Sequence, residues 1–271
     1  IVPRARDDRR RRPRPRGGGI IGGMATTDAL RPGERPPPPP RLPRTGPGFW
    51  WRVLSPPLAV LGSFVVAGIT IAILQGASLS EDAAIAIGQT VAGLCLVGLG
   101  VLLVLALPVA FRRLALAWKG TPVASAGIGV GIGVASLISA GIIFGIAMAI
   151  DPGVEDQLDD LSDEIGFSVP WQQGLLVFAL VILAPFGEEL LFRALLLRGL
   201  VRRIPFWAAA VTSGALFAAA HPDAWQIWPR AVFLLAIGIA FAFLYRWRGY
   251  GASVTAHMTV NTAAAIGLVA G

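Results

Sequence analysis

Charged residues are scarce in this sequence: Asp, Glu, Lys and Arg together make up 14% of its 271 residues. A soluble globular domain has roughly 25%, so the composition excludes an ordinary soluble fold. Hydrophobic residues make up 55%, and the mean hydropathy is +0.67. Several apolar runs approach or exceed the length of about 20 residues that a helix needs to cross a bilayer. We therefore predict an all-α, polytopic membrane protein built around an intramembrane polar cavity.

Cysteine and histidine are also rare. The single cysteine, Cys95, cannot form an internal disulfide or supply a cysteine metal cluster, and we interpret it as a small core residue. The two histidines, His221 and His257, both lie in apolar sequence. Ionisable groups at membrane depth are costly to bury, so both are candidate functional residues.

The positive charge of the chain belongs to its first segment. Residues 1–52 contain 13 Arg and 4 acidic residues, a net charge of +9, whereas the remainder has 10 basic and 12 acidic residues, a net charge of −2. Residues 1–48 are rich in Arg, Pro and Gly, which predicts a disordered tail. No aromatic residue precedes Phe49, which argues against nucleic-acid binding. We expect this tail in the cytoplasm, with anionic lipid as a second interpretation, and Met24 is a plausible translation start.

Residues 49–271 are predicted to form one membrane domain with about seven spans, eight being possible. The predicted spans are about 55–76, 84–111, 122–150, 171–197, 206–221, 229–245 and 251–270. The intervening loops alternate between acidic and basic, and the third loop, 151–166, is strongly acidic. Basic loops face the cytoplasm, which places the N-terminus inside and, for an odd number of spans, the C-terminus outside. The composition is typical of a GC-rich bacterium, so we expect a bacterial plasma membrane.

Four glycines at alternate positions open the third span: Gly127, Gly129, Gly131 and Gly133. A nucleotide-binding loop would follow a strand and precede an acidic residue, and neither is present. Small residues instead allow membrane helices to approach closely, so we predict tight packing of this helix.

Two adjacent carboxylates, Glu188 and Glu189, lie in the middle of an apolar run, just after Pro185. The proline removes a backbone donor and predicts a helix irregularity. Glu189 and Arg193 are four residues apart and share a helix face, so Arg193 is expected to keep Glu189 ionised. Glu188 points about 100° away and is expected to face a cavity as a general base. The alternative is that all three form one buried ion-pair network.

The histidines have matched neighbours. His257 and Asn261 are four residues apart, as are Phe217 and His221, so each pair shares a helix face. Either histidine alone could be a packing residue. Two of them in separate spans, after a glutamate pair, indicate a shared site.

Two hydrolytic mechanisms fit these residues. In the first, Glu188 deprotonates a water molecule that His221 orients, and His257 with Asn261 donates hydrogen bonds to the oxyanion. In the second, His221, His257 and Glu188 ligate a zinc ion that activates the water. The sequence lacks an H-E-x-x-H pattern and asparagine is a poor zinc ligand, so we favour the metal-free mechanism and expect no cofactor, with zinc as the alternative.

The three motifs resemble, in order, those of the CAAX-protease and bacteriocin-processing family (CPBP, or Abi) of intramembrane proteases. They are Glu188-Glu189-x-x-x-Arg193, Phe217-x-x-x-His221 and His257-x-x-x-Asn261, and the resemblance covers about residues 171–270. It implies a glutamate-dependent endopeptidase acting on a membrane-associated protein or peptide. On the matching positions, Glu188 would be the base and Glu189 its partner, with Arg193 structural or electrostatic and Phe217 supporting.

The same resemblance implies that His221 assists the water and that His257 and Asn261 form the oxyanion site. One expectation conflicts with it: at about 1.5 Å of rise per residue, Glu188 lies roughly 15 Å from the cytoplasmic end of its span. His257 lies nearer that end and His221 farther from it. Either the helices tilt, or the predicted bounds of the fifth span are wrong.

Two other functions use the same residues. A non-enzymatic immunity or scaffold protein would bind a peptide in the cavity without cleaving it. A proton-coupled transporter would use Glu188 and the histidines as a relay, but the sequence shows no two-fold internal repeat of the kind many transporters have.

Overall fold

The computed structural model describes residues 48–164 and 169–270. Nearly all of them are helical, and they contain no strand, only an isolated bridge between Trp118 and Gly249. The predicted all-α membrane architecture is therefore confirmed. The predicted tail, apart from its last residue, lies outside the described residues.

Nine helices follow one another in this part of the chain. They are α1 (Gly48–Gly76), α2 (Glu81–Leu105), α3 (Val109–Ala115), α4 (Pro122–Ile150), α5 (Gly153–Glu164), α6 (Pro170–Leu200), α7 (Phe206–Ala219), α8 (Trp228–Arg248) and α9 (Tyr250–Ala270). Five of them, α1, α2, α4, α6 and α8, are long and apolar enough to cross a membrane, and α7 is a shorter apolar helix. The predicted count of seven spans is not confirmed.

Two predicted boundaries in the first part of the chain were wrong. The span 84–111 is two helices, because α2 ends at Leu105 and α3 begins after Pro108, whose ring restricts the preceding residue to extended conformations. The acidic loop 151–166 contains the helix α5. Glu155 and Asp156 lie in its first turn, where negative charge favours a helix, and Val154 of the same helix is fully buried.

The long helix α6 is irregular around Pro185. A six-residue α-helical segment, Ala184–Glu189, lies between two π-helical stretches, Ala179–Leu183 and Leu190–Leu197. Widened turns of this kind accommodate a residue that cannot donate a backbone hydrogen bond, and they occur frequently at functional sites. The predicted irregularity is therefore present, and it brackets both glutamates.

The second π-helical stretch forms the centre of the core, because every residue from Leu190 to Leu197 is buried. On the far side of the molecule, α4 packs against α9 through two glycines. A Cβ atom at Gly133 would lie 2.6 Å from the Cβ of Thr259, and one at Gly129 would lie 2.9 Å from the Cβ of Thr255. These two glycines therefore allow the close approach that the sequence predicted, and they fix the position of the helix that carries His257.

Candidate active site

A cavity of about 550 Å³ opens beside the middle of α6. Four of the predicted site residues line it: Glu188, His221, His257 and Asn261. Most of the remaining wall is apolar and comes from α1, α2, α6 and α8. The structure thus brings residues from three separate motifs into one intramembrane space.

The carboxylate of Glu188 faces both imidazole rings. Its Oε2 lies 3.9 Å from Nε2 of His221 and 3.7 Å from Nε2 of His257. Both distances are too long for a direct hydrogen bond, and Oε2 is buried without a hydrogen-bond partner among the described residues. One carboxylate oxygen therefore faces two ring nitrogens across gaps in which a single water molecule would be shared.

The sequence placed His221 and His257 at different depths in the membrane. The observed end of α7 explains how both reach Glu188. The predicted span 206–221 was too long, because α7 ends at Ala219 and the chain turns through His221 into a short 3₁₀ segment, Pro222–Trp225. His221 therefore lies on this turn, and from there it reaches Glu188.

A hydrogen bond from Nδ1 fixes the orientation of each imidazole ring. Nδ1 of His221 lies 2.8 Å from the carbonyl oxygen of Phe217. A carbonyl can only accept, so Nδ1 must donate this bond. Nδ1 of His257 lies 3.2 Å from Oε1 of Glu189, and the carboxylate accepts in the same way. In the neutral forms, both rings therefore present an unprotonated Nε2 to Glu188.

Glu189 and Arg193 form a fully buried ion pair behind the cavity, with Nε of Arg193 3.2 Å from Oε2 of Glu189. Arg193 also donates from Nη2 to the carbonyl oxygen of Gly238, at 3.3 Å. Neither residue lines the cavity. Since Glu189 also accepts the bond from His257, its role in this arrangement is to orient that ring.

Phe217 packs against both histidines of the site. It is fully buried, and its ring centroid lies 4.8 Å from that of His221 and 5.7 Å from that of His257. The guanidinium carbon of Arg193 lies 4.7 Å from the same centroid. One aromatic ring therefore contacts both imidazoles and the buried cation, a cation–π arrangement that is strongest where water is excluded.

Asn261 joins α9 to the irregular part of α6. Its Nδ2 donates to the carbonyl oxygen of Leu180, at 2.8 Å, and Leu180 lies in the first π-helical stretch. A carboxamide nitrogen carries two hydrogens. The second remains for a group inside the cavity that Asn261 lines.

Two residues that were not predicted from the sequence hold α9 against the part of α6 that carries the glutamates. Ser253 is fully buried, and its Oγ donates to Oε2 of Glu189. Its position four residues before His257 was a usable signal, because Ser253, His257 and Asn261 share one face of α9. Tyr250 donates from its hydroxyl to the carbonyl oxygen of Phe186, at 2.9 Å. No sequence spacing indicates that contact, since 64 residues separate the two.

Comparison with known proteins identifies one family. Residues 170–263, about a third of the chain, match the model of the type II CAAX prenyl endopeptidase Rce1-like family. No curated protein and no solved structure gives a significant match. The matched segment begins with α6 and includes all three motifs around the cavity. Over these residues, the resemblance to the CAAX proteases that the motifs indicated is confirmed.

Proposed function

We propose that the protein is an intramembrane endopeptidase that hydrolyses a peptide bond of a membrane-associated protein or peptide. The observation that carries the proposal is the approach of Glu188 Oε2 to the Nε2 atoms of His221 and His257 within one apolar cavity. The match to a family of endopeptidases supports the same reaction class.

Glu188 acts as the general base. A water molecule between Oε2 of Glu188 and Nε2 of His221 donates a proton to the carboxylate while its oxygen attacks the peptide carbonyl carbon. The unprotonated Nε2 of His221 accepts the second hydrogen of the same water and so orients it. After the tetrahedral intermediate forms, Glu188 returns the proton to the amine nitrogen as the C–N bond breaks.

His257 and Asn261 stabilise the oxyanion. His257 donates its Nδ1 hydrogen to Glu189, so donation from Nε2 as well requires the imidazolium form. The carboxylate of Glu189 stabilises that cation at 3.2 Å. The second amide hydrogen of Asn261 supplies the other donor. Preorganised donors of this kind stabilise the charge that develops in the transition state.

A zinc-dependent mechanism uses the same donor atoms, which fit zinc by chemical type: two imidazole nitrogens and a carboxylate oxygen. The contacts of both Nδ1 atoms also resemble the outer hydrogen bonds that orient metal-bound histidines. However, Oε2 of Glu188 lies 3.9 and 3.7 Å from the two Nε2 atoms, farther than the spacing of about 3.4 Å that tetrahedral zinc–ligand bonds imply. Among the described residues no group of three His, Cys, Asp or Glu side chains is placed to hold a metal ion. We propose the metal-free mechanism and expect peptidase activity to survive 1,10-phenanthroline and dialysis against EDTA. Loss of activity on chelation, with recovery on adding zinc, would reverse this choice.

The activity test compares purified wild type with Glu188→Gln in proteoliposomes, using a library of lipid-anchored peptides analysed by mass spectrometry. We expect new peptide termini with wild type and a loss of at least about a thousandfold with Glu188→Gln. Phe64→Leu, a change in the apolar wall of the same cavity, serves as a control that keeps every polar group. Equal cleavage by wild type and Glu188→Gln would refute the proposal. If Glu188→Gln binds peptides of the library tightly and wild type does not cleave them, the non-enzymatic peptide-binding function would be favoured.

We propose that the N-terminus lies in the cytoplasm of a bacterial cell, because the loops after α3 and α6 and the last turn of α8 are basic. A cysteine placed at Ser78, between α1 and α2, should then react with an impermeant maleimide added to intact cells in a Cys95→Ser background. A cysteine at Thr121 should react only after permeabilisation. The reverse pattern would invert the proposed topology.

A further inference from the structure

Among the residues that the structure describes, one end of the helical bundle has basic residues and no acidic ones. It is formed by residues 48–58, 105–121, 198–207 and 245–251, which contain nine Arg and Lys residues and no Asp or Glu. Direct contacts hold these segments together: the backbone N–H of Lys119 donates to the carbonyl oxygen of Arg248 at 3.0 Å, and Nη1 of Arg198 donates to that of Leu114 at 2.8 Å. We call this region the basic end.

Arg52 is the buried residue of the basic end. It is only 9% exposed, and its Nε and Nη1 atoms are buried without a hydrogen-bond partner among the described residues. A buried guanidinium that forms no hydrogen bonds carries a desolvation penalty. Two further arginines, Arg198 and Arg202, lie close enough to repel it electrostatically. The four segments of the basic end therefore concentrate positive charge around a group that needs an acceptor.

Phe111 forms the floor of this cluster. The guanidinium carbon of Arg52 lies 4.4 Å from the ring centroid, and that of Arg202 lies 5.7 Å from the same centroid. The ring therefore holds two guanidinium groups near each other by cation–π contacts. Arg52 is also held at its base, because its Cβ packs against Gly199 near the end of α6.

The basic end is flanked by exposed tryptophans. Three tryptophans around it expose large parts of their rings: Trp50 (60%), Trp118 (43%) and Trp247 (57%). Exposed tryptophans at the ends of membrane helices concentrate at the boundary between hydrocarbon and water. Lipid headgroups supply phosphate anions at this boundary.

We propose that Arg52, with Arg198 and Arg202, forms a binding site for the phosphate group of an anionic membrane lipid. The planar guanidinium matches phosphate oxygens in a two-point contact that a lysine cannot reproduce. Basic pockets between membrane helices on the cytoplasmic side bind anionic headgroups in this way. The site is separate from the cavity at Glu188 and does not depend on the proposed peptidase activity.

The test uses the full chain in nanodiscs of phosphatidylcholine with or without phosphatidylglycerol, and it measures retained lipid by native mass spectrometry together with the thermal unfolding midpoint. We expect phosphatidylglycerol to be retained and to raise the midpoint in wild type. Arg52→Gln should weaken retention about tenfold or more, and Arg52→Lys should weaken it less. The matched control is Arg113→Gln on α3, which removes the same charge from an exposed position and should leave retention within about twofold of wild type.

Several outcomes would overturn the site. Equal losses in Arg52→Gln and Arg113→Gln would indicate a diffuse surface attraction. Stabilisation of the phosphatidylcholine sample by inorganic phosphate to the same extent would indicate a soluble anion. Absence of phosphatidylglycerol retention in wild type, together with retention gained on neutralising Asp28 and Glu34, would mean that a carboxylate of the chain is the partner of Arg52. If Arg52→Gln does not fold, Arg202→Gln provides the same comparison, and unchanged lipid retention in that variant refutes the site.

Discussion

His257 and Glu189 share a hydrogen bond of 3.2 Å between Nδ1 and Oε1, although 68 residues separate them. The bond turns the opposite nitrogen of the ring, Nε2, towards Glu188. The two adjacent glutamates therefore contact opposite sides of one imidazole. Glu189 fixes the ring from behind the cavity, and Glu188 faces it from within.

Ser253→Ala should disturb this orientation without touching the cavity. Its hydroxyl donates to Oε2 of Glu189, and a lost hydrogen bond to a buried charge costs about 1.5–3 kcal/mol. We expect kcat for peptide cleavage to fall about tenfold, with KM changed by less than about twofold. Steady-state kinetics in proteoliposomes measure both constants.

Ser213→Ala is the matched control for that variant. Ser213 is also fully buried, but its hydroxyl donates to the carbonyl oxygen of Phe192 at 3.1 Å and does not contact Glu189. It should lower stability and leave kcat near that of wild type. Similar kcat values in the two serine variants would show that Ser253 only stabilises the fold.

Arg193→Gln should destabilise the protein strongly. The change leaves the carboxylate of Glu189 buried without its cation, and breaking one side of a buried ion pair costs about 3–5 kcal/mol. The fraction of protein that stays folded in detergent during a thermal ramp measures the loss. The double variant Glu189→Gln/Arg193→Gln should recover part of it, since no unpaired charge remains. A double variant less stable than Arg193→Gln would contradict this account.

Asn261→Ala should reduce turnover. Removing one oxyanion donor costs about 10²–10³ in kcat, and here the change also breaks the bond to the carbonyl of Leu180. Thr262→Ala, the exposed neighbour on α9, should cleave at the wild-type rate. A KM increase at constant kcat in Asn261→Ala would mean that the amide binds the substrate and not the transition state.

Gly133→Ala should lower stability by about 1–3 kcal/mol, the usual cost of overpacking, because the added methyl group would lie within 3 Å of Thr259 and the carbonyl of Ala256. Gly131→Ala, two residues earlier, has no atom within 4 Å of the added carbon. It should be neutral or slightly stabilising. Unfolding midpoints of the two variants, measured in the same lipid, make the comparison, and equal midpoints would contradict it.

The helical membrane architecture and the set of polar residues around the cavity could be predicted from sequence, because both follow from local patterns. Apolar runs indicate the long helices, and four-residue spacing places Glu189 with Arg193 and His257 with Asn261. What could not be predicted is how these faces meet. The turn that carries His221 to Glu188 depends on where α7 ends, and the contact of Tyr250 with Phe186 depends on packing between α9 and α6.

Helix boundaries were the weakest part of the prediction for a related reason. Hydropathy does not distinguish a continuous apolar helix from one interrupted by a turn, so 84–111 appeared as one span although Pro108 divides it. The acidic composition of 151–166 concealed α5, since solvent-exposed carboxylates are as common in amphipathic helices as in loops. In the part of α5 whose side chains the structure describes, Val154 and Leu158 contact the rest of the molecule and indicate its buried face.

The shortness of α7 has a consequence for the surrounding lipid. Its 14 residues rise about 21 Å, whereas the hydrocarbon core of a bilayer is about 30 Å thick. If α7 crosses the bilayer, the bilayer must thin locally beside it, or the turn bearing His221 must lie below the nearest headgroups in a depression that admits water. Either response costs a fraction of a kcal/mol per ångström of mismatch. The thickness of the host membrane, and not only its chemistry, thus affects how readily water reaches Glu188.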